Sequence, residues 1–291
     1  MKKFSLKFLL FFTCFFLFSI GLSYLLSRVY WKSSIFKPYA IINLKQKPTH
    51  LILGSSRALT TLNTEYISSA YKDNEAIWYN YAMDDSSPEI HLAMLEFIVE
   101  QGIIPRCVYL QYDRVGQVTE KRNWETNDYR FWPGRGRSES LKQYFKGKSN
   151  GYLYSFFPIL PYAIHNSELI FPAFFVNFKP DYKHRFNEFG DVAYPNSKTI
   201  KETPETIQKD LNTSDPTLQA IKSFCDENKI KLILFVAPHL RYSYHSDDAD
   251  VFNFSNTLIN PEYFYDHQHI NGKGRQVFTE LFVREVLKVS K

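Results

Sequence analysis

His50-Leu51-Ile52-Leu53-Gly54-Ser55-Ser56-Arg57 is the stretch on which the reading of this chain turns. A short apolar run that stops at a glycine reads as a buried strand entering a tight turn. Glycine permits the sharp reversal, and a serine just beyond it is presented at the carboxyl end of the strand. Open parallel sheets bind their ligands at that end. Backbone N–H groups entering the following helix can face an oxyanion there. An ordinary turn and helix cap would use the same residue types, so the surrounding chain has to decide between the two.

Downstream, Thr61 to Tyr71 predicts a helix and Ala76 to Tyr79 a second short strand. Ser87-Pro88-Glu89 opens a helix whose apolar stripe runs through Ile90, Leu92, Ala93, Leu95, Phe97 and Ile98, and Gly102 ends it. Cys107 to Tyr112 reads as a third strand. Alternating strands and helices imply a parallel sheet with right-handed crossovers. The pattern breaks from Arg114 to about Thr213, then resumes at Asp215-Pro216 with a helix striped by Leu218, Ile221, Phe224 and Cys225. Lys231 to Ala237 is a fourth strand, closed by Pro238. Asn271-Gly272 opens a last helix to about Lys288, with Val277, Phe278, Leu281, Phe282 and Val286 facing inward. A loop of that length without structure has no place in a compact domain. The middle is therefore expected to be an irregular, aromatic-rich insertion folded over the edge or mouth of the sheet as a lid. Its aromatic side chains would either stack on sugar rings or form a small core of their own.

Upstream, Lys2, Lys3 and Lys7 precede an apolar run from Phe8 to Leu26, about 19 residues against the ~20 that cross a hydrocarbon core as helix. A cleaved signal peptide would have a shorter core and a small-x-small site, and Leu25-Leu26-Ser27-Arg28 is a poor one. The expected organisation is an anchor at 1–30, a stalk at 31–48 and a domain at 49–291 that carries the insertion at about 114–213. The lysines favour a cytoplasmic amino terminus, which puts the domain on the outer side of the membrane. A cleaved signal would deliver it to the same side.

Hydrophobic residues make up 44% of the 291 and charged residues 22%, the balance of a folded protein rather than a disordered one. The net charge of +5 is spread without a Lys/Arg block, so nothing points to nucleic acid. Of three cysteines, Cys14 lies in the apolar run. Cys107 and Cys225 read as two small buried residues, although an outer location would also permit a disulfide. No Cys/His spacing of a zinc site occurs, and no cofactor is expected.

The carboxyl-terminal stretch Tyr263-Phe264-Tyr265-Asp266-His267-Gln268-His269-Ile270-Asn271-Gly272 gives the Gly-Ser-Ser turn a partner. A serine hydroxyl is a poor nucleophile until a neutral imidazole takes its proton. The imidazole needs a carboxylate on its other nitrogen to fix the tautomer and stabilise the cation. Asp266 and His269 supply both. His267 is an alternative base, and Asp266, His267 and His269 as a metal cluster lack a further ligand.

Gly54-Ser55-Ser56 after the first strand, with Asp266-x-x-His269 before the last helix, resembles the SGNH (GDSL-like) hydrolase superfamily. The resemblance covers roughly 49–113 and 215–288 and implies a flavodoxin-like, three-layer α/β/α parallel sheet. It implies Ser56 as nucleophile, His269 as general base and Asp266 as its orienting carboxylate. Asn80-Tyr81-Ala82 resembles the second block, which makes the backbone N–H of Ala82 an oxyanion donor beside that of Ser56. Three departures stand out. Ser55 replaces Asp, Ala82 replaces Gly, and Leu110-Gln111-Tyr112-Asp113 lacks the side-chain Asn of the third block. Removing one such donor costs about 10²–10³ in rate; Arg57 or Asn123 are candidates to replace it. Asn80, Asp113, His239 and Arg241 complete the substrate-facing candidates. Gly-Ser-Ser with an amino-terminal anchor is most similar to the membrane-tethered branch, which includes accessory proteins of lipoteichoic-acid D-alanylation and alginate acetylation. That branch implies O-acyltransferase or esterase chemistry on an envelope polysaccharide or glycolipid, beside a membrane-bound O-acyltransferase. The alternative is a catalytically weak glycan-binding or scaffolding partner of such a transferase.

Overall fold

In a computed structural model of the chain, the described residues are 2–71, 73, 75–115, 127–165, 167–179, 186–197, 200 and 204–288. The chain divides into two compact units, Met1–Asn43 with Lys121–His184, and Leu44–Glu120 with Arg185–Lys291. In chain order the helices are α1 (Lys2–Lys32), α2 (Lys37–Asn43), α3 (Ser56–Thr61), α4 (Thr64–Ala70), α5 (Pro88–Glu100), α6 (Glu139–Lys146), α7 (Gly151–Phe156), α8 (Leu160–His165), α9 (Ser167–Phe175), α10 (Pro216–Glu227) and α11 (Gly272–Glu285). The strands are β1 (His50–Leu53), β2 (Trp78–Asn80), β3 (Cys107–Gln111), β4 (Ile207–Asp210), β5 (Lys231–Val236), β6 (Tyr242–His245) and β7 (Val251–Asn253).

The second unit is built on a five-stranded sheet in the order β2-β1-β3-β5-β7, with every pairing parallel. β1 lies between β2 and β3, with Leu51 opposite Tyr79 and Val108. Its four residues are buried, as the unbroken apolar run requires of a strand covered on both faces. α11 packs on α3 and α4, while α5 packs on α10. Ile52, Ala58, Phe235, Phe278 and Phe282 form part of the core between sheet and helices. The helix starts follow capping chemistry. Asp215 Oδ1 accepts from the Thr217 and Leu218 N–H groups ahead of α10, and Asn271 Oδ1 accepts from Lys273 and Gly274 ahead of α11.

Several elements differ from expectation. The helix expected over Thr61–Tyr71 is split, because Asn63 leaves the helical path and caps α4 by accepting from the Tyr66 N–H. β7 is only three residues long, and β4 of the separate two-stranded sheet with β6 is mostly exposed, so neither announces itself in the sequence. Cys107 and Cys225 are both buried and free.

The 114–213 stretch belongs to both units. Lys121–His184 joins the amino-terminal residues, whereas Arg185 onward joins the sheet-bearing unit. The stalk expected at 31–48 contains a helix instead: α2 buries Tyr39 and Ile41 within the first unit. In that unit Trp132 is buried and donates to the Pro158 carbonyl at 3.1 Å, with the Arg135 guanidinium 3.9 Å from its ring centre. The aromatic residues here do form a core. Phe4–Lys32 of α1, with a mean hydropathy of 2.2, is long and apolar enough to cross a membrane.

Candidate active site

Gly54 sits at φ +145°, outside the region L side chains adopt readily. A Cβ there would also meet Ala58 Cβ at 2.8 Å and Gln111 Cβ at 3.0 Å. Glycine is therefore what allows β1 to turn directly into α3. Ser56 is the first residue of that helix, so its N–H has no acceptor within it.

Ser56 Oγ lies 2.8 Å from Nε2 of His269, across 213 positions of sequence. On the other side of the ring, Nδ1 of His269 is 2.8 Å from Asp266 Oδ2 and 3.0 Å from Oδ1. The loop that makes this possible is closed by a bridge between Phe264 and Ile270 and by the Tyr265 N–H donating to the His269 carbonyl. Asp266 Oδ1 also accepts the N–H groups of Gln268 and His269 at 2.8 Å each, which holds the carboxylate in place. Partial burial opposes its ionisation, but the hydrogen bonds from the His269 ring and these two amides outweigh that. The carboxyl is held below its usual range. His267 is exposed and contributes its carbonyl, not its ring, to the neighbouring loop.

The remaining candidates divide. Arg57 is 4% exposed and turned inward: one guanidinium nitrogen pairs with Asp113, and another donates to the Ala237 and Pro238 carbonyls. Arg57 and Asp113 thus satisfy each other and tie α3 to the carboxyl ends of β3 and β5. Asn80 is fully buried, donating to Ala58, Leu59 and Asp191. Its Oδ1 accepts the Ala82 N–H at 3.1 Å. The amide expected to face an oxyanion therefore has a hydrogen-bond acceptor within the fold. Arg241 is exposed, its guanidinium 5.6 Å from the Tyr242 ring centre. Asn123 lies outside the described residues.

His239 follows β5 and is 5% exposed. Its Nδ1 accepts the N–H groups of Arg241 and Tyr242 at 3.0 and 3.1 Å, so the ring proton sits on Nε2. Among the described residues Nε2 has no partner. Burial and the Arg57 guanidinium push the imidazole down to about 3, so it is neutral at physiological pH. Its loop is stitched to both halves of the site, through Arg57 to α3 and through the Leu240 N–H to the His267 carbonyl.

Three contributions escape a reading by motif. Gln111 stands against the Gly54 turn and accepts from Ser55 Oγ at 3.3 Å. Tyr194 stacks on Tyr265 at 4.5 Å and lies 5.3 Å from the His269 ring, forming an aromatic wall beside it. Asp191 is a buried hub, taking Thr64 N–H and Oγ1, Asn80 Nδ2 and the Arg275 guanidinium. Next to it Gly190, at φ +79°, lets the backbone press on β2, where a Cβ would sit 2.2 Å from the Asn80 carbonyl. Among the described residues, no three His, Cys, Asp or Glu side chains are disposed to hold a metal ion.

A family model described as a protein of unknown function (DUF1574) matches residues 24–122. That third of the chain holds Ser56 and Arg57 but neither Asp266 nor His269. No curated protein matches.

Proposed function

We propose that the chain is a serine-dependent acyl-ester enzyme, an O-acyltransferase or esterase, working on a glycan or glycolipid at a membrane surface. The observation that carries this reading is the relay from Ser56 Oγ through His269 to Asp266, with both links at 2.8 Å. Ser56 Oγ attacks an acyl carbonyl while its proton passes to Nε2 of His269. The bond to the leaving alcohol then breaks as that proton moves to the departing oxygen, which leaves Ser56 acylated. Water or a sugar hydroxyl next attacks the acyl carbon, again giving its proton to His269, and Ser56 is released. Asp266, held ionised, stabilises the imidazolium formed in each half.

The SGNH resemblance supports the same reading. Counted along the large sheet alone, the strand order is 2-1-3-4-5, the order of flavodoxin-like sheets. With the Ala82 amide occupied, the oxyanion donors in this scheme are the Ser56 N–H and His239 Nε2–H. The latter is a neutral side-chain donor standing in for the Asn the family carries on its third block. Tyr194 and Tyr265 form the wall against which a sugar ring or acyl group packs. The apolar α1 and the membrane-tethered branch support an envelope substrate on the outer side, delivered beside a membrane-bound O-acyltransferase.

A second reading, a glycan-binding scaffold with little turnover, is favoured by the occupied Ala82 amide and the missing Asn. Fluorophosphonate labelling and p-nitrophenyl acetate hydrolysis by the full-length protein separate the two. Labelling at Ser56 that is lost in Ser56→Ala and His269→Ala supports the enzyme. His239→Ala is expected to lower turnover about 10²-fold, with His239→Gln recovering part of it through its amide donor. Absent labelling, with glycan binding unaffected by Ser56→Ala, establishes the scaffold.

A further inference from the structure

We propose that residues 151–165 and 167–178 are embedded in the lipid leaflet beside the carboxyl-terminal half of α1, so that the protein is held by a helix plus a second, non-spanning insert.

The argument begins with depth. Phe157 meets both Phe15 and Phe16 of α1, at 6.3 and 6.2 Å between ring centres. Ser23 Oγ donates to the Pro158 carbonyl, Ser27 Oγ lies 2.7 Å from the Tyr162 hydroxyl, and Asn177 donates to the Val29 carbonyl. The segment therefore lies along α1 from Phe15 to Val29. Phe15 is about eleven residues below the end of the apolar run at Leu26, roughly 16 Å at 1.5 Å per residue. Half of a ~30 Å hydrocarbon core is about the same distance. If α1 spans a bilayer, Phe157 sits near its midplane.

The surface has the matching chemistry. Residues 151–178 contain no Lys, Arg or Asp and a single Glu, Glu168, while Lys146, Lys148 and Lys179 flank them. Many of the segment's apolar side chains point outward: Tyr152 and Phe171 are 71% exposed, Phe156 64%, Ile164 58% and Phe178 74%. A face of that kind continuous with a spanning helix calls for hydrocarbon rather than water. Several of the described polar groups within the segment find partners inside it, as lipid demands. Ser155 Oγ donates to the Gly151 carbonyl, Tyr154 Oη is 3.3 Å from His165 Nε2, and Asn177 Nδ2 donates to the Ala173 carbonyl at 2.7 Å. Where α1 leaves the apolar run, a cavity of about 220 Å³ is lined by Arg28, Val29, Lys32, Phe174, Asn177 and Phe178. Its lining is almost wholly apolar, as a lipid acyl chain requires.

The test uses the purified full-length chain alone in nanodiscs of anionic phospholipid carrying a photoactivatable group near the acyl terminus. Adducts are mapped by mass spectrometry. Adducts on peptides covering 151–165 and 167–179, at yields comparable to those on α1, are expected, as is their loss from these peptides when Phe156→Asp and Phe171→Asp are combined. Adducts confined to 4–26 in the wild-type protein overturn the proposal and assign the face to a protein partner or to solvent. The mapping requires no activity and alters no residue of the candidate active site, so its outcome is independent of the reading of Ser56.

Discussion

Replacing Arg57 by methionine keeps the length of the side chain and removes its donors. Arg57 is 4% exposed and serves Asp113, Ala237 and Pro238 at once. The two carbonyls are buried, and each stranded acceptor costs about 1–3 kcal/mol. Asp113, with 32% of its side chain exposed, regains water, so losing its ion pair adds at most about 1 kcal/mol. The total is about 4 kcal/mol, or roughly 8–16 °C in melting temperature for a unit of this size. Thermal unfolding of the detergent-solubilised full chain measures it, with Arg57→Lys expected in between because an ammonium cannot span all three acceptors. Fluorophosphonate labelling of Ser56 should fall in parallel, since the loop carrying His239 loses its tie to α3. If Arg57→Met melts within about 2 °C of the parent while KM rises, Arg57 faces substrate and the clamp is wrong.

Gly54→Ala is expected to cost about 1–3 kcal/mol by overpacking against Ala58 and Gln111, and to abolish labelling of Ser56; unchanged labelling would show that the turn tolerates a Cβ. Asp191→Ala strands the Arg275 guanidinium, which is 12% exposed, and should destabilise by about 3–5 kcal/mol in denaturant unfolding. An Asp191→Ala variant within 1 kcal/mol of the parent, roughly the worth of one ordinary hydrogen bond, would refute the hub. The folded protein holds His239 at about 3 and His91, likewise buried, at about 4. Both lie below the unfolded value, so the unfolded chain binds more protons as pH falls under about 6.5. The stability from these neutral rings is complete above that pH and is lost progressively toward pH 3–4, about 2 kcal/mol each by pH 5. Melting temperature followed from pH 7 to 5 should fall, and His239→Gln should flatten part of the slope; an unchanged slope would mean the ring is not held neutral.

The sheet was readable because its central strands are buried on both faces. His50–Leu53, Cys107–Gln111 and Lys231–Val236 are nearly unbroken apolar runs, and the helices between them carry a helical stripe. Edge elements lack that signal. β7 is three residues long and β4 is mostly exposed, so neither has the alternation or hydrophobicity that marks a strand. The middle of the chain was unreadable for a different reason. A period in sequence reports a helix with one wet face and one dry face. α9 is mostly apolar in sequence, and α7 and α8 are six residues each, too short to show a period. Such residues give no stripe when two of their surroundings, α1 and lipid, are both apolar.

The site shows the complementary limit. That Ser56, Asp266 and His269 meet was legible because a candidate nucleophile, base and carboxylate are defined by residue type and local spacing: the turn after β1 and the three-residue step before α11 each fit in a short window. The oxyanion donors are not so defined. Any N–H will serve, and whether it is free depends on which acceptor lies nearest in space. Ala82 fills the expected position, yet its amide is taken by Asn80 Oδ1 two residues back. Gln111 and Asp113 flank the position that corresponds to the family's Asn; Asp113 is paired with Arg57, and Gln111 accepts from Ser55 Oγ while its buried Nε2 has no hydrogen-bond partner among the described residues. His239 becomes a donor only because two amides of its own loop fill Nδ1 and burial keeps the ring neutral. Arg57, two bonds from the same loop, fixes its place. A histidine after a strand carries none of this in its letters; its tautomer is a property of the fold, and it is the tautomer that decides whether it could steady an oxyanion.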